Sequence, residues 1–360
     1  MVAFPEAVED ITGGSLKVPR SEYRQSGQLP VVDQGRTLIA GYTDNTSRAF
    51  KHDGPHIIFG DHTRAMKYVD FPFAMGADGV KVLRTRDGFY PKFVYHYLCT
   101  VALPDAGYSR HFKFLKEIQV PRPPLDEQRH IAAILDHADL LRSKRRRIVA
   151  DLSDLSRSIF FEMFGNPLSV RRSMRKLHTV GQVITGNTPS RANPENFGPG
   201  IEWIKSDNLG ATIATEAEEH LSETGRRGAR IAPAGSVLVT CIAGSPQSIG
   251  KASLVDREVA FNQQINAIVA GPEINNRFLL EQLCAAPNLV RQQSTGGMKG
   301  LVSKSSLGAI NIHVPPLNEQ IRFTQIVDKI DTSRALQTRA VIESDEVFTS
   351  LQSRAFRGEL

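Results

Sequence analysis

The segment of this chain that most resembles a ligand-binding motif runs from Gly244 to Lys251 and reads GSPQSIGK. The G-x-x-x-x-G-K-[ST] pattern of a phosphate-binding loop has one residue fewer between its glycines, and its Ser or Thr holds magnesium. Here five residues separate the glycines, and Ala252 follows the lysine. We therefore interpret this segment as a tight turn between strands and not as a nucleotide site.

Other patterns of catalysis or metal binding are also missing from the sequence. His52, His56 and His62 lie close together, but turn and strand positions explain them better than a metal does. There is no G-x-G-x-x-G, G-x-S-x-G or H-E-x-x-H pattern, and each Pro-Pro pair precedes Leu, unlike the loop of amino-methylating enzymes. The sequence predicts no catalytic residue, no metal site and no cofactor bound by this chain. An enzyme with an unrecognised active site stays an alternative.

Basic side chains in predicted loops are better candidates for function. The net charge of +6 and the pI of about 9.2 suit an anionic partner such as nucleic acid, although a solvated surface explains them equally. Many of these residues stand beside Gly, Ser, Thr or aromatic residues, and exposed amides together with Lys or Arg bind phosphate oxygens. The candidates are Lys17, Arg20, Arg36, Arg64, Lys67, Arg110 and Lys113 in the first part, and Arg191, Lys205, Arg226, Arg227, Arg230, Lys251, Lys299 and Lys304 in the second.

The cysteines and the N-terminal sequence indicate the compartment. Cys99, Cys241 and Cys284 are scattered and odd in number, which predicts a reducing environment without disulfides. The N-terminus lacks the regions of a secretory signal, and no run of about 18 apolar residues is present. We expect a cytoplasmic protein with no membrane span.

The elements that position these residues occur twice. Residues 123–128 read PPLDEQ and residues 315–320 read PPLNEQ, an offset of 192 (315 − 123). An offset this long exceeds the period of solenoid repeats, so it indicates a duplicated domain followed by a duplicated helix. Short apolar runs such as 29–32, 56–59 and 80–83, separated by turn residues, predict short strands, and 91–103 predicts a helix.

These patterns predict an α+β protein of two α/β domains and two long helices. The domains are 1–121 and 167–314, and the helical segments are 122–166 and 315–360. Heptads within both helical segments predict that the helices pair as an antiparallel coiled coil. The predicted seam comprises Ile131, Ile134, Ala138, Leu141, Arg145, Ile148, Leu152, Leu155 and Ile159 on the first helix, and Phe323, Ile326, Ile330, Gln337, Ala340, Val347 and Leu351 on the second.

Charged and polar residues interrupt the middle of both predicted helices. Arg145 and Gln337 fall at equivalent seam positions, and we expect them to meet at the centre of the coiled coil and fix its register. The basic run 142–147 is either an exposed helix face or a cationic strip for DNA or an acidic partner.

The duplicated Pro-Pro-Leu-x-Glu-Gln motif, each copy between a variable domain and a long helix, resembles the DNA-specificity subunit of type I restriction–modification systems. The resemblance covers the whole chain. It includes 107–110 (GYSR) and 296–298 (GGM) before the final strand of each domain, and the mid-domain stretches 73–80 and 261–268. One departure is that 30–32 (PVV) of the first domain replaces 203–205 (WIK) of the second.

The resemblance implies that each domain is a target recognition domain for one half of a split DNA sequence. It implies helices that space the domains and dock two adenine methyltransferase subunits, which bind S-adenosylmethionine. Motor-nuclease subunits that use ATP and magnesium would join for restriction. Gln34, Arg36, Arg191, Asn208 and Gln247 are candidate base readers. A coiled-coil interaction protein without nucleic-acid function is the alternative.

Overall fold

A computed structural model of the chain describes residues 1–77, 79–104, 107, 109–169, 172–295 and 300–360. The chain forms two compact units, Met1–Arg146 with Arg339–Leu360, and Arg147–Thr338. Each unit holds one domain of short strands together with part of each long helix. This division runs through the two helical segments, so the domain boundaries at 121/122, 166/167 and 314/315 stay predictions.

The domain of the first unit consists of short strands and short helices, followed by a long helix. Its strands are β1 (Val2–Ala3), β2 (Val8–Asp10), β3 (Lys17–Val18), β4 (Leu29–Val32), β5 (Gly41–Thr43), β6 (His56–Gly60), β7 (Met66–Val69), β8 (Ala74–Gly76), β9 (Val80–Thr85) and β10 (Gln119–Val120). Its helices are α1 (Phe4–Ala7), α2 (Pro91–Thr100) and α3 (Phe112–Leu115), and the long helix is α4 (Leu125–Phe164). The strands predicted from apolar runs and the helix at α2 are confirmed.

Two four-stranded sheets organise this domain. One has the order β2-β9-β6-β7 with antiparallel neighbours, and the other has the order β3-β8-β4-β5. In the second sheet β8 is parallel to both β3 and β4, while β4 and β5 are antiparallel. The first sheet buries Ile57, Phe59 and Leu83 against α2, which places the domain core beside the long helix.

The second unit repeats this plan with its own strands and helices. Its strands are β11 (Met174–Lys176), β12 (Gly181–Thr185), β13 (Phe197–Ile204), β14 (His220–Leu221), β15 (Ile231–Ala232), β16 (Val237–Thr240), β17 (Ile242–Ala243), β18 (Ala252–Leu254), β19 (Val259–Phe261), β20 (Ile265–Ala270), β21 (Gly300–Leu301) and β22 (Asn311–His313). Its helices are α5 (Glu223–Gly228), α6 (Asn276–Ala285), α7 (Asn288–Arg291), α8 (Lys304–Gly308) and the second long helix, α9 (Leu317–Ala355).

The sheet orders of the two domains correspond. The order β12-β20-β16-β18 matches β2-β9-β6-β7, because each consists of antiparallel neighbours in the same chain sequence. The order β14-β13-β19-β15 matches β5-β4-β8-β3 in its first three strands, with β13 parallel to β19 as β4 is parallel to β8. The outer strands differ, since β15 is antiparallel to β19 whereas β3 is parallel to β8.

The long helices begin and end where their sequences dictate. α4 begins directly after Pro123 and Pro124, and α9 directly after Pro315 and Pro316; proline lacks an N–H and cannot continue a helix upstream. α4 ends before Gly165, whose φ of 75° is the left-handed conformation of a helix C-terminus. The Gly165 amide donates to the Phe161 carbonyl at 2.9 Å, which satisfies one of the last free carbonyls.

The helices pair in antiparallel directions within each unit. In the first unit, Ile131 and Leu135 of α4 share a core with Phe348 and Ala355 near the end of α9. In the second unit, Phe160 near the end of α4 contacts Phe323 near the start of α9, with ring centroids 5.4 Å apart. The predicted antiparallel coiled coil is therefore present.

Four of the sixteen predicted seam residues were assigned one residue too early. The alternate positions Leu141, Ile148, Leu155 and Val347 are exposed, with 46%, 43%, 40% and 56% of their surface accessible. The residues that follow them, Arg142, Val149, Ser156 and Phe348, are half-buried or buried instead. The register is set by Phe348, because burying this large aromatic ring gains more than burying Val347. The guanidinium of Arg142 lies 3.8 Å from the centre of that ring, so the seam accepts its charge.

The remaining seam predictions hold for burial. Ile131, Phe323 and Ile330 are buried. The other seam residues are half-buried, namely Ile134, Ala138, Arg145, Leu152, Ile159, Ile326, Gln337, Ala340 and Leu351. The hydrogen bonds described for Arg145 run to the Ala340 carbonyl, at 2.8 Å, and to the Ser344 hydroxyl. Both acceptors lie C-terminal of Gln337, and the expected meeting of Arg145 with Gln337 stays a prediction.

The repeated motif attaches each long helix to its domain through its glutamine. Gln128 and Gln320 are both fully buried. The amide nitrogen of Gln128 donates to the Gly88 and Pro123 carbonyls at 3.0 and 2.9 Å, and its oxygen accepts from the Tyr90 amide at 2.8 Å. One side chain thus satisfies three buried backbone groups at the start of the helix.

Gln320 makes the same three bonds in the second unit. Its nitrogen donates to the Glu273 and Pro315 carbonyls at 3.1 and 2.7 Å, and its oxygen accepts from the Asn275 amide at 2.8 Å. Glutamine has the length and both the donor and the acceptor that this contact needs. The strict repetition of the motif therefore has a structural cause.

Candidate nucleic-acid interface

The first domain places most of its predicted cations on loops and strand ends. Lys17 lies on β3, Arg20 begins a short 3-10 turn, and Arg64 lies in the turn between β6 and β7 with a φ of 60°. The exposed members of the set are Lys17, Arg20, Arg36, Arg64, Arg110 and Lys113. These positions suit contact with an extended anionic surface.

Lys67 is the exception, because its side chain is buried. Only 4% of Lys67 is accessible, and its ammonium donates to the Asp33 carbonyl at 2.7 Å and lies 3.6 Å from the Asp33 carboxylate. Burial lowers the pKa of Lys67, although Asp33 opposes this shift. The prediction that Lys67 contacts DNA was wrong: this lysine joins β7 to the loop after β4.

Gln34 is half-buried and braces the turn between β6 and β7. Its side-chain oxygen accepts from the His62 amide at 3.4 Å, and its backbone carbonyl accepts from the Thr63 hydroxyl. The turn at 61–64 and the loop after β4 are thereby held together. A base-reading role for Gln34 stays a prediction.

The second domain brings two predicted cations onto one carboxylate. Arg191 and Lys205 both bind Glu219, with Nη2–Oε2 and Nζ–Oε2 distances of 2.9 and 2.7 Å. These two cations lower the pKa of the Glu219 carboxyl, Arg191 more than Lys205, so it is ionised at neutral pH. We call Arg191, Lys205 and Glu219, together with Phe197 and Trp203, the charged cluster.

Aromatic rings support the cations of the charged cluster. The guanidinium carbon of Arg191 lies 4.8 Å from the Phe197 ring centre and 5.4 Å from that of Trp203. The Lys205 ammonium lies 5.3 Å from the Trp203 ring. Trp203 is only 3% exposed, and its indole N–H donates to the Asn187 carbonyl at 3.3 Å, so the ring is fixed. Fixed rings limit the positions that the two cations can adopt.

A bulge in β13 opens a cleft beside the charged cluster. The pairing of β13 with β14 shifts register between Phe197 and Ile201, and the intervening residues read Gly-Pro-Gly. A Cβ atom at Gly200 would lie 2.2 Å from the Leu221 carbonyl oxygen, so only glycine allows this backbone approach. The cleft has a volume of about 830 Å³, and Arg191, Glu219 and His220 line it.

The other predicted residues of the second domain have separate surroundings. Arg226 pairs with Glu258 on the surface. The exposed residues outside the charged cluster are Arg226, Arg227, Arg230, Gln247, Lys251 and Lys304. Lys299 and the GGM stretch before it lie outside the described residues. The structure brings only Arg191 and Lys205 of this set onto a shared partner.

Asn208 supports a loop rather than presenting its amide to solvent. Its side-chain oxygen accepts from the Lys205 amide at 2.9 Å, and its nitrogen donates to the Glu216 carbonyl at 2.9 Å. Asn208 therefore orients the chain on both sides of the charged cluster, and its base-reading role stays a prediction.

The segment from Gly244 to Lys251 forms a turn, as the sequence indicated. A short 3-10 turn, Pro246–Ser248, connects β17 to β18. Arg291 donates to the Gln247 carbonyl at 2.8 Å and to the Ile249 carbonyl at 3.0 Å, which fixes the turn.

The acidic and aromatic members of the charged cluster, Glu219, Phe197 and Trp203, were not predicted from the sequence. Glu219 follows Glu216 and Glu218 in an acidic run, which on a basic surface was an available signal for a paired carboxylate. Trp203 is the single tryptophan of the chain, and it stands two residues before Lys205. Arg24, which pairs with Asp44 in the first domain, was likewise not predicted.

The first domain has different residues at the positions of the charged cluster. Strand pairing aligns Val31 with Trp203, because each sits opposite an alanine on the central parallel strand, Ala74 or Ala260. The same alignment places Asp33 at the position of Lys205 and Gly41 at the position of Glu219. The two domains thus share this sheet but not its chemistry.

The described residues also bear on metal binding, membrane spans and cysteine chemistry. Among them, no group of three or more His, Cys, Asp or Glu is arranged to hold a metal ion. None of their helices is long and apolar enough to cross a membrane. Burial raises the pKa of the thiols of Cys99 and Cys241 to about 11, and that of Cys284 to about 12.

Comparison with known proteins identifies the family. The type I restriction modification DNA specificity domain matches residues 10–148 and 172–344. The chain is 26% identical over 336 residues to the EcoR124I/EcoR124II specificity subunit of Escherichia coli, covering 88% of this chain and 82% of that subunit. The chain therefore belongs to the type I restriction–modification DNA specificity family.

Solved structures share the fold. A chain from a type I restriction–modification system matches with a TM-score of 0.59 at 18% identity, with both chains covered in full. The type I restriction–modification S subunit from M. genitalium matches with a TM-score of 0.58 at 14% identity, over 97% of this chain and 92% of that one. The predicted fold of two recognition domains on two long helices is confirmed.

Proposed function

We propose that this chain selects the DNA sequence for a type I restriction–modification complex and that each domain reads one half of a split site. The observation that carries the proposal is the contrast within the duplicated scaffold. The helix attachments repeat bond for bond through Gln128 and Gln320, whereas the second sheets carry different charges. Two readers held by one kind of attachment suit a target with two unlike halves.

Exchange of one domain tests this division. Residues 1–121 are replaced by the corresponding domain of a related subunit, and the methylated sequences are determined in the assembled complex. We expect one half of the recognised site to change and the other half to persist. A change in both halves would contradict the modular reading.

The alternative is a coiled-coil interaction protein without nucleic-acid function. Phosphate contacts release counterions, so binding of the complex to duplex DNA should weaken steeply as salt increases. The exposed cations of both domains support this expectation. Binding that is absent at low salt, or insensitive to salt, would favour the alternative.

We also propose that the long helices dock two adenine methyltransferase subunits. Leu141, Ile148 and Leu155 recur every seven residues on one face of α4 and are exposed. Exposed apolar side chains in a row mark a protein interface more often than a free surface. S-adenosylmethionine would bind those partner subunits, and ATP and magnesium would bind motor-nuclease subunits. Such a complex would act on DNA in the cytoplasm.

A charge on this face of α4 tests the docking proposal. Ile148→Lys should abolish co-purification with the methyltransferase subunits while leaving the unfolding of the free chain unchanged. Ala150→Lys is the matched control, because Ala150 is also exposed but lies on the other side of the seam. Equal assembly of both variants would contradict docking at this face.

A further inference from the structure

The charged cluster has the donors and acceptors that a base pair requires. Arg191 and Glu219 line the cleft beside the β13 bulge, where Gly198 and Gly200 leave the approach open. The Arg191 side chain is 58% exposed and that of Glu219 is 36% exposed, so both reach solvent from a fixed base. A cluster that served stability alone would not need an open cleft.

The geometry leaves one edge of the Arg191 guanidinium available. The hydrogen bonds described for Arg191 run to Glu219 through Nη2, at 2.9 and 3.3 Å, and through Nη1, at 3.4 Å. These bonds use the edge of the guanidinium that is formed by Nη1 and Nη2. The edge formed by Nε and the second hydrogen of Nη2 carries two parallel donors, which match the O6 and N7 acceptors of guanine.

Glu219 also retains an acceptor. Its Oε2 binds Arg191 and Lys205 at 2.9 and 2.7 Å, whereas its Oε1 has only the longer contacts to Arg191. A carboxylate oxygen with a free lone pair accepts a hydrogen bond from the N4 amino group of cytosine. Lys205 holds this carboxylate in place from the other side.

We propose that Arg191 and Glu219 together read one guanine–cytosine pair in the major groove of the half-site bound by the second domain. Arg191 donates to guanine and Glu219 accepts from cytosine, while Phe197 and Trp203 keep the guanidinium preorganised. This inference rests on the proposed function, since it requires that the second domain binds DNA. It concerns one half-site only, because Gly41 and Asp33 replace Glu219 and Lys205 in the first domain.

The test uses the full chain assembled with its methyltransferase partners. Wild-type complex and variants select bound duplexes from a library with randomised positions, and the base preference at each position is determined. The variants are Arg191→Ala, Arg191→Lys and Glu219→Gln. Arg175→Ala is the control, because Arg175 forms a surface ion pair with Glu273 at 2.7 Å in the same unit, away from the cleft.

We expect Arg191→Ala to reduce the preference for guanine at one position of one half-site by about tenfold or more. Arg191→Lys should lose the same preference, because a lysine ammonium lacks the paired donors. Glu219→Gln should reduce it too, since the amide neither fixes the guanidinium nor accepts from cytosine as strongly. Arg175→Ala should leave every position unchanged.

Two outcomes would overturn the inference. A uniform loss of affinity for all sequences in Arg191→Ala, with a salt dependence smaller by about one ion, would make Arg191 a phosphate contact. An unchanged preference with a lower unfolding midpoint would make the cluster structural. If the wild-type complex itself shows no sequence preference, the proposed function fails. If the wild-type complex shows a preference and the Arg191 and Glu219 variants retain it, the inference alone fails.

Discussion

The two domains agree where they meet the long helices and differ on the sheet that carries the charged cluster. At the helix, Gln128 and Gln320 make equivalent bonds, and Phe93 contacts Phe356 as Phe278 contacts Phe164, with ring centroids 5.5 and 5.1 Å apart. On the second sheet, the pairing of β4 and β5 is regular, whereas β13 is bulged against β14. The attachment to the long helices is duplicated in detail, whereas the second sheet differs between the domains.

Ion pairs at the attachment follow the same rule. Lys92 of α2 binds Asp136 of α4 at 2.6 Å, and Arg277 of α6 binds Asp331 of α9 at 2.6 Å. Each pair joins the domain helix to the long helix near its start. We infer that the geometry of the helix attachment is constrained in both units. The second sheet is not constrained in this way, so its side chains can differ between the domains.

If the two attachments are equivalent, removing either motif glutamine should destabilise the chain by the same amount. Gln128→Leu and Gln320→Leu each leave one buried N–H and two carbonyls without their partner. We expect each to lower the free energy of unfolding by about 3 kcal/mol. Urea unfolding followed by circular dichroism measures both.

The fluorescence of Trp203, the single tryptophan, reports the second domain separately. Glu127→Gln and Glu319→Gln are the controls, because each exposed glutamate directly precedes one of the glutamines. Their effect should stay below about 0.5 kcal/mol. A large loss for one glutamine and none for the other would show that the two attachments are not equivalent.

The duplicated plan was predictable from the sequence because its signals are local. Pro-Pro before each helix, the glutamine after it and the seven-residue periodicity are all contiguous patterns. The alternate seam positions were not predictable, since Leu141 and Ile148 are apolar and fit the heptad as well as Arg142 and Val149 do. Packing of Phe348 decided between them, and packing is a property of two helices rather than one.

The candidate site was predictable in residue type but not in arrangement. Lys67 and Lys205 look alike in sequence, yet only Lys67 is buried: it lies on the edge strand β7, and its ammonium binds Asp33 in the loop after β4. Glu219 was not predicted as a site residue because only positively charged side chains are expected to contact phosphate. Its partners are 28 and 14 residues away (219 − 191 and 219 − 205), so no local pattern connects them.

Replacing two lysines that pair with carboxylates, one in each domain, should sharpen the contrast between the domains. Lys67→Met removes the partner of Asp33 in a buried place and should cost about 2 kcal/mol of unfolding free energy, without changing DNA binding. Lys205→Met removes a half-buried surface partner of Glu219 and should cost less than about 0.5 kcal/mol, yet weaken DNA binding several-fold. Urea unfolding and salt-dependent binding of the complex measure the two effects. The reverse pattern would contradict our assignment of Lys67 to structure and Lys205 to function.

The smallest expected difference between the domains is a response to acid that comes from a buried histidine of the first domain. His56 is 2% exposed, and burial, followed by the charges of His52 and Arg84, lowers its pKa. Strand pairing places Ser236 at the same position in the second domain. Below the ordinary histidine pKa of about 6.5, the unfolded chain binds a proton that folded His56 does not, so the free energy of unfolding decreases as the pH falls from 7 towards 5.

His56→Gln should reduce this acid loss, whereas His52→Gln, at an exposed position, should retain it. His96 of the first domain and His313 of the second unit are also buried with lowered pKa values, so the wild-type loss is shared and only the difference between variants isolates His56. Urea unfolding at pH 7 and pH 5.5 gives that difference, with circular dichroism reporting both units and Trp203 fluorescence the second. An acid loss that His56→Gln leaves unchanged would mean that His56 accepts its proton without unfolding.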